Sequence, residues 1–257
     1  MAGNGGWQNE TLVTVLATPG QPYEGRGKRC AARAAAAGFP HVRLHVGTNF
    51  IEDAKARGEP RPSATRVSTL IMRAHWKALR GAYEAAQAAA RTPRYLLMLE
   101  DDCTFVDAGT LRARTACALD SAFRATPDWP LLLLGFVNLT PYLPQRGPLV
   151  RLPSPWGAHA ILYRTAEVPK LLRRPPTRGQ VIEGWAALPL RHRLGVSPCV
   201  AFQETMPRES PVKGDFRAIT TAWHVGVNTL PLLLVLALCV VLLVTAARWR
   251  GGGAGAT

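Results

Sequence analysis

The strongest fold signal in this chain is the stretch Tyr95-Leu96-Leu97-Met98-Leu99-Glu100-Asp101-Asp102-Cys103-Thr104-Phe105. An apolar run of strand length ends in three consecutive carboxylates and is followed by further apolar residues. In an open α/β sheet the carboxyl ends of the strands border the ligand crevice, so acids at such an end face a bound ligand. The stretch therefore predicts a buried strand that carries acidic side chains to a binding crevice.

The three carboxylates of Glu100, Asp101 and Asp102 repel one another and are costly to bury unless a cation neutralises them. Mg²⁺ and Mn²⁺ prefer carboxylate oxygens as ligands, and Mg²⁺ is often bound by one or two carboxylates together with a substrate phosphate. We therefore expect a metal-bound phosphate at this strand end. The alternative is a strand that runs out into a solvated acidic turn.

Composition places the chain among globular proteins. It has 257 residues, of which 47% are hydrophobic and 19% charged, and this length is enough for one sizeable α/β domain or two small ones. The net charge of +14 would suit an anionic partner, but the charge is dispersed, without a basic block interleaved with aromatic residues. We therefore expect no nucleic-acid partner. The five cysteines are widely spaced and form no CxxC pair, so neither a zinc site nor a disulfide framework is predicted.

The first part of the chain predicts a β-α-β unit. Residues 11–17 (Thr-Leu-Val-Thr-Val-Leu-Ala) are typical of a buried strand, residues 25–38 of an Ala- and Arg-rich helix, and residues 41–46 of a second strand. Such an opening predicts a mostly parallel sheet with a nucleotide near the end of the first strand. Tyr23 and Arg26 could stack on a base or contact a phosphate there; the alternative is that they are ordinary surface residues.

The alternation of helices and strands continues after the first unit. Helices are predicted from residue 63 or 65 to about residue 91, over 107–125 and over 165–174, and strands over 131–136 and 157–163. A closing strand is predicted over 195–203, and the Pro-rich segment 141–155 is expected to form an irregular loop.

The C-terminal part contains 18 residues without a charge, at 230–247. That length is just sufficient to span a bilayer, and Trp223 and Trp249 flank it at interfacial positions. We predict a main domain over 1–225, a transmembrane anchor over 229–248 and a short Gly-rich tail over 249–257. Because no basic and apolar leader begins the sequence, we expect a single-pass membrane protein whose main domain lies on the cytosolic side.

Several segments, in this order and at these spacings, resemble glycosyltransferase family 25, which includes bacterial lipooligosaccharide and procollagen galactosyltransferases. The segments are residues 68–77, 99–102, 128–135, 156–163, 182–185 and 198–203, and the likeness spans residues 11–215. The resemblance implies that the main domain is catalytic and has a GT-A nucleotide-sugar-binding fold. It also implies metal-dependent transfer of a hexose, galactose or glucose, from a UDP-sugar donor to a glycan or protein-linked acceptor, with inversion.

The resemblance also implies roles for individual residues. Asp102, assisted by Glu100 or Asp101 and completed by His224, would hold Mn²⁺ or Mg²⁺, which acts as Lewis acid for the departing diphosphate. Other donor-binding candidates are Tyr23, Arg26, Ser210 and Lys213.

Inversion requires a carboxylate that takes the proton of the acceptor hydroxyl. Glu183 stands where the family usually has an Asp, so it is the predicted base. His159 and Gln203 are predicted to contact the acceptor.

Purely structural roles for three of these residues also stay open. Glu183 could be an acid at a helix N-terminus, His159 a hydrogen-bonded strand residue, and His224 an interfacial residue. Two other classes of protein also fit the pattern. One is a different metal-phosphate enzyme, such as a nucleotidyltransferase or hydrolase, and the other is a non-catalytic, membrane-anchored adaptor.

Overall fold

A computed structural model of the chain describes residues 6–20, 25–47, 55–58, 64–138, 141–153, 155–173 and 188–204. The helices are α1 (Arg26–Ala36), α2 (Ala64–Ala88), α3 (Ala108–Ala125) and α4 (Val168–Leu172). The strands are β1 (Thr11–Ala17), β2 (His41–Val46), β3 (Tyr95–Glu100), β4 (Cys103–Phe105), β5 (Leu131–Asn138), β6 (Leu143–Pro144), β7 (Leu149–Arg151), β8 (Pro155–Arg164), β9 (Leu194–Val196) and β10 (Ala201–Gln203).

A mixed sheet of eight strands forms the centre of the described structure, in the order β2-β1-β3-β8-β5-β9-β7-β6. β1 pairs in parallel with β2 and β3, and β5 pairs in parallel with β9. β7 and β8 run antiparallel to the other strands, and β8 lies between β3 and β5. The predicted α/β class and the mostly parallel sheet are confirmed.

Helices cover both faces of this sheet. Because side chains alternate along a strand, Leu97 and Leu99 of β3 pack on the face that carries α1 and α3, whereas Leu96 and Met98 pack on the face that carries α2 and α4. All of β3 from Tyr95 to Leu99 is at most 2% exposed. A strand buried on both faces needs a continuous apolar run, which is why this stretch dominates the sequence pattern.

Two segments differ from their predicted structure. The segment predicted as an irregular loop contains the short strands β6 and β7, and the predicted closing strand is divided into β9 and β10. The division falls at Ser197 and Pro198, where proline has no N–H to donate to a ladder. β10 instead pairs antiparallel with β4 in a separate two-stranded sheet, which we call the β4–β10 ribbon.

The predicted anchor over 229–248 lies outside the described residues. Among the helices that the structure does describe, none has the length and apolar character needed to cross a membrane.

Candidate active site

The acidic stretch lies at the carboxyl-end edge of the sheet, as predicted. Glu100 ends β3 and is in register with Leu16 near the end of β1, and helix α1 begins close by at Arg26. In an α/β sheet this edge is where ligands bind. The side chains that meet there come from three elements that are far apart in sequence.

Asp101 joins two of these elements. Its Oδ2 accepts a hydrogen bond from the Thr18 backbone N–H at 2.9 Å, and its Oδ1 lies 3.0 Å from Nη2 of Arg26. Asp101 is only 6% exposed. This burial excludes the alternative of a solvated acidic turn, and it shows that both carboxylate oxygens hold the connection between β1 and α1.

Asp102 shares the same guanidinium. Its Oδ2 lies 2.7 Å from Nη2 of Arg26, whereas its Oδ1 is buried and has no hydrogen-bond partner among the described residues. Burial raises the pKa of Asp102 to about 6, against the lowering effect of Arg26 and with a further increase from the neighbouring Asp101 charge. One carboxylate oxygen of Asp102 is therefore paired with Arg26, and the other has no hydrogen-bond donor among the described residues.

Glu100 is the last residue of β3 and has a different partner from the two aspartates, which lie in the turn that follows. Its Oε2 accepts a hydrogen bond from Nε2 of Gln203 at 3.3 Å. The three carboxylates therefore do not converge on one point. Within the described ranges, no group of three His, Cys, Asp or Glu side chains is placed to hold a metal ion.

The β4–β10 ribbon fixes the backbone on either side of Asp102. The Glu204 N–H donates to the Asp102 carbonyl at 2.6 Å, directly after β10. Arg33 of α1 pairs with the Glu204 carboxylate at 2.6 Å and donates to the Cys103 carbonyl at 3.3 Å. The chain that continues after Glu204 therefore starts next to Asp102.

His159 lies deeper than its predicted role requires. The residue is 1% exposed and packs against Gly135, where an added Cβ would lie 2.8 Å from the His159 ring. Its neighbour Ala160 is in register with Leu99 near the end of β3. The imidazole is thus enclosed and close to the acidic edge in the sheet, and its contact with an acceptor stays a prediction.

Six of the eleven predicted site residues lie within the described ranges, His159 and five more. Arg26, Glu100, Asp101, Asp102 and Gln203 meet at one edge of the sheet, as the preceding contacts show. The other predicted residues lie outside the described residues and stay predictions: Tyr23, Glu183, Ser210, Lys213 and His224.

Three residues of this cluster were not predicted: Thr18, Arg33 and Glu204. Arg33 follows Arg26 by seven positions, which is two helical turns, so both arginines lie on one face of α1. This spacing in the sequence could have indicated that Arg33 lies near the site.

Cys30 lies on the same face of α1 and donates a hydrogen bond to the Glu100 carbonyl at 3.3 Å. Burial raises the pKa of its thiol to about 12, so it is a structural residue and not a nucleophile.

Asp102 has the chemistry that a divalent cation needs, because a carboxylate oxygen is a preferred ligand and its Oδ1 has no competing hydrogen bond among the described residues. Asp101 has both oxygens engaged, and Oε2 of Glu100 accepts a hydrogen bond from Gln203. A cation at Asp102 would therefore need its remaining ligands from the donor phosphates, from water, and from residues such as His224 beyond the described part.

The sequence matches no protein-family model and no curated protein. One solved structure that resembles the chain is described as "crystal structure of a glycosyltransferase involved in the glycosylation of the major capsid of PBCV-1", with a TM-score of 0.34 and 10% sequence identity. The match covers 63% of this chain and 64% of that chain, which is less than two thirds of its length. A likeness of this degree assigns neither fold nor function, and the resemblance to glycosyltransferase family 25 stays a prediction.

Proposed function

We propose that the chain is a metal-dependent glycosyltransferase with a GT-A fold, which transfers a hexose, galactose or glucose, from a UDP-sugar to a glycan or protein-linked acceptor with inversion. The observation that carries the proposal is the placement of Asp102 at the ligand-binding edge of the sheet, beside a buried guanidinium and with one carboxylate oxygen lacking a hydrogen-bond partner in the described structure.

The chemistry of sugar transfer uses these features. As the bond between the anomeric carbon and the diphosphate breaks, negative charge grows on the leaving group, and the bound cation supplies Lewis-acid stabilisation for it. Asp102 is the residue that would hold that cation. Arg26, which begins α1, stands where a guanidinium can also pair with phosphate oxygens.

The remaining roles are further proposals, and of the residues that carry them only Gln203 lies within the described ranges. Glu183 would take the proton from the acceptor hydroxyl, Ser210 and Lys213 would contact the pyrophosphate, and Tyr23 would stack on the base. Gln203 would face the acceptor from the β4–β10 ribbon.

The proposal is tested by screening UDP-sugars with the full-length chain, with and without Mn²⁺. A true donor should raise the thermal unfolding temperature only when the metal is present, because a ligand stabilises the state that binds it. Transfer of labelled sugar to an acceptor should fall by at least about a hundredfold in Asp102→Asn, as expected when a major electrostatic group at the leaving phosphate is lost.

The matched control is Asp120→Asn, which removes one carboxylate from an exposed position of α3. This variant should transfer sugar at the wild-type rate. Wild-type turnover in Asp102→Asn would reject the proposal. Release of a nucleotide or free phosphate, with no sugar on the acceptor, would instead indicate a nucleotidyltransferase or hydrolase using the same carboxylates.

A further inference from the structure

Arg26 pairs with Oδ2 of Asp102, the carboxylate at which a cation is expected. A single nitrogen, Nη2, bridges Asp101 at 3.0 Å and Asp102 at 2.7 Å, and the Arg26 side chain is 11% exposed. The guanidinium thus supplies the positive charge that the adjacent carboxylates require. The same contact occupies Oδ2 of the carboxylate that would hold the metal.

A divalent cation at Asp102 would lie within a few ångströms of this guanidinium. Two positive groups at that distance repel strongly in a partly desolvated site. Arg26 is also the first residue of α1, whose N-terminus carries a partial positive charge that favours anions over cations. Arg26 in its present position therefore opposes metal binding at Asp102.

Asp101 is a second carboxylate partner of the Arg26 guanidinium, independent of Asp102. Because the Thr18 N–H holds the second oxygen of Asp101, this carboxylate stays fixed when Arg26 moves. Arg26 would therefore keep Asp101 as a partner if its contact with Asp102 were broken.

We propose that Arg26 and the divalent cation bind Asp102 in alternation. In the chain without donor, Arg26 holds Asp102 and keeps metal affinity low. When a nucleotide-sugar arrives, its diphosphate attracts the guanidinium, and Asp102 becomes available to the cation. Metal and donor then bind as coupled ligands. This inference rests on the proposed function, since it concerns the metal site assigned there.

The test measures Mn²⁺ binding to the full-length chain without donor, at pH 8, from the loss of the electron paramagnetic resonance signal of free Mn²⁺. Arg26→Gln should bind Mn²⁺ about tenfold more tightly than wild type, or better, because the competing charge is removed. Lys28→Gln is the matched control: it removes one positive charge from an exposed position of the same helix and should bind as wild type does. Arg26→Lys should show an intermediate gain, since it keeps the charge on a flexible ammonium instead of a planar guanidinium.

A second substitution locates the gain. Asp102→Asn in the Arg26→Gln background should abolish it. Near-ultraviolet circular dichroism checks that each variant is folded, and if Arg26→Gln does not fold, Arg26→Lys decides the question. Equal or weaker Mn²⁺ binding in the Arg26 variants, no binding by any variant, or a gain that survives the loss of Asp102 would overturn the inference.

The two proposals fail in different ways. Loss of sugar transfer in Asp102→Asn, together with unchanged Mn²⁺ affinity in Arg26→Gln, would support the glycosyltransferase function. The same result would contradict the competition between Arg26 and Mn²⁺ for Asp102. Arg26→Gln could instead bind Mn²⁺ more tightly while the wild-type chain transfers no sugar. That result would support the competition at Asp102 and contradict the glycosyltransferase function.

Discussion

At the scale of the residue, neighbours of the same chemical type have different tasks in this chain. Asp101 uses both oxygens to hold Thr18 and Arg26, whereas Asp102 uses one and leaves the other buried without a hydrogen-bond partner in the described structure. Their order in the sequence does not separate them. Both side chains contact Arg26, and the distinction arises because only Asp101 also accepts a hydrogen bond from the Thr18 N–H.

A residue-scale prediction concerns His75, which is buried on α2 with its Nε2 3.0 Å from the Tyr163 hydroxyl. Burial lowers the pKa of His75 from 6.5 to about 4. In the unfolded chain the imidazole takes up a proton near pH 6.5, whereas in the folded chain it stays neutral to about pH 4. The stability that the neutral imidazole supports is therefore complete above pH 6.5 and is lost as the pH falls toward 4.

Denaturant unfolding of wild type and His75→Gln at several pH values checks this prediction. The difference in the free energy of unfolding, wild type minus variant, should increase by about 3 kcal/mol as the pH rises across that window and stay level above it. The subtraction removes the other titrating groups that both chains share. A difference that does not change with pH would contradict the assigned state of His75.

At the scale of the element, the β4–β10 ribbon depends on close packing against β5. A Cβ added at Gly135 would lie 2.5 Å from the Ala201 carbonyl oxygen and 2.8 Å from the His159 ring. The ribbon can approach this closely only because position 135 has no side chain. Since β10 carries Gln203 and leads to Glu204, the same packing positions the backbone beside Asp102.

Gly135→Ala should therefore lower both stability and activity. We expect a loss of about 1–3 kcal/mol in the free energy of unfolding, which is typical of overpacking, and reduced sugar transfer because the ribbon must shift. Gly81→Ala is the control: it lies within α2, its added Cβ meets nothing within 4 Å, and alanine favours the helix by roughly 0.5–1 kcal/mol. Thermal unfolding and a transfer assay measure both effects. Wild-type stability in Gly135→Ala would contradict the packing argument.

At the scale of the whole molecule, two properties could bring the chain to a membrane: its net charge of +14 and its apolar segment at 230–247. These act through different forces. Charge attraction to anionic lipid is screened by salt, whereas burial of an apolar helix is not.

We predict that the full-length chain stays with the membrane fraction after a high-salt wash. The double substitution Leu236→Arg and Val240→Arg should release it, because a charged side chain at the centre of a span costs roughly 2.5–3.5 kcal/mol on the insertion scale. Sedimentation of membranes followed by detection of the chain measures retention. Release of the wild-type chain by salt alone would show that charge, and not the apolar segment, holds it.

The sequence alone was sufficient for the α/β class, for most element positions, and for the position of the acidic residues at a strand end. β1, β2 and β3 follow their predicted bounds closely, because a strand buried on both faces or a β-α-β unit leaves a local pattern of apolar residues and turn signals. The acidic residues were expected at the carboxyl-end edge of the sheet, where the structure has them, whereas their roles and those of Arg26 and Gln203 stay predictions.

Only the tertiary structure decided which carboxylate is engaged and by what. The contacts of Arg26 with Asp101 and Asp102, of Thr18 with Asp101 and of Arg33 with Glu204 join residues separated by many positions, so no local pattern encodes them. The division of the closing segment into β9 and β10 also depends on a distant partner, β4. Local sequence determines which residues can form strands and where acids follow them, but the pairing of charges depends on distances that exist only after the chain has folded.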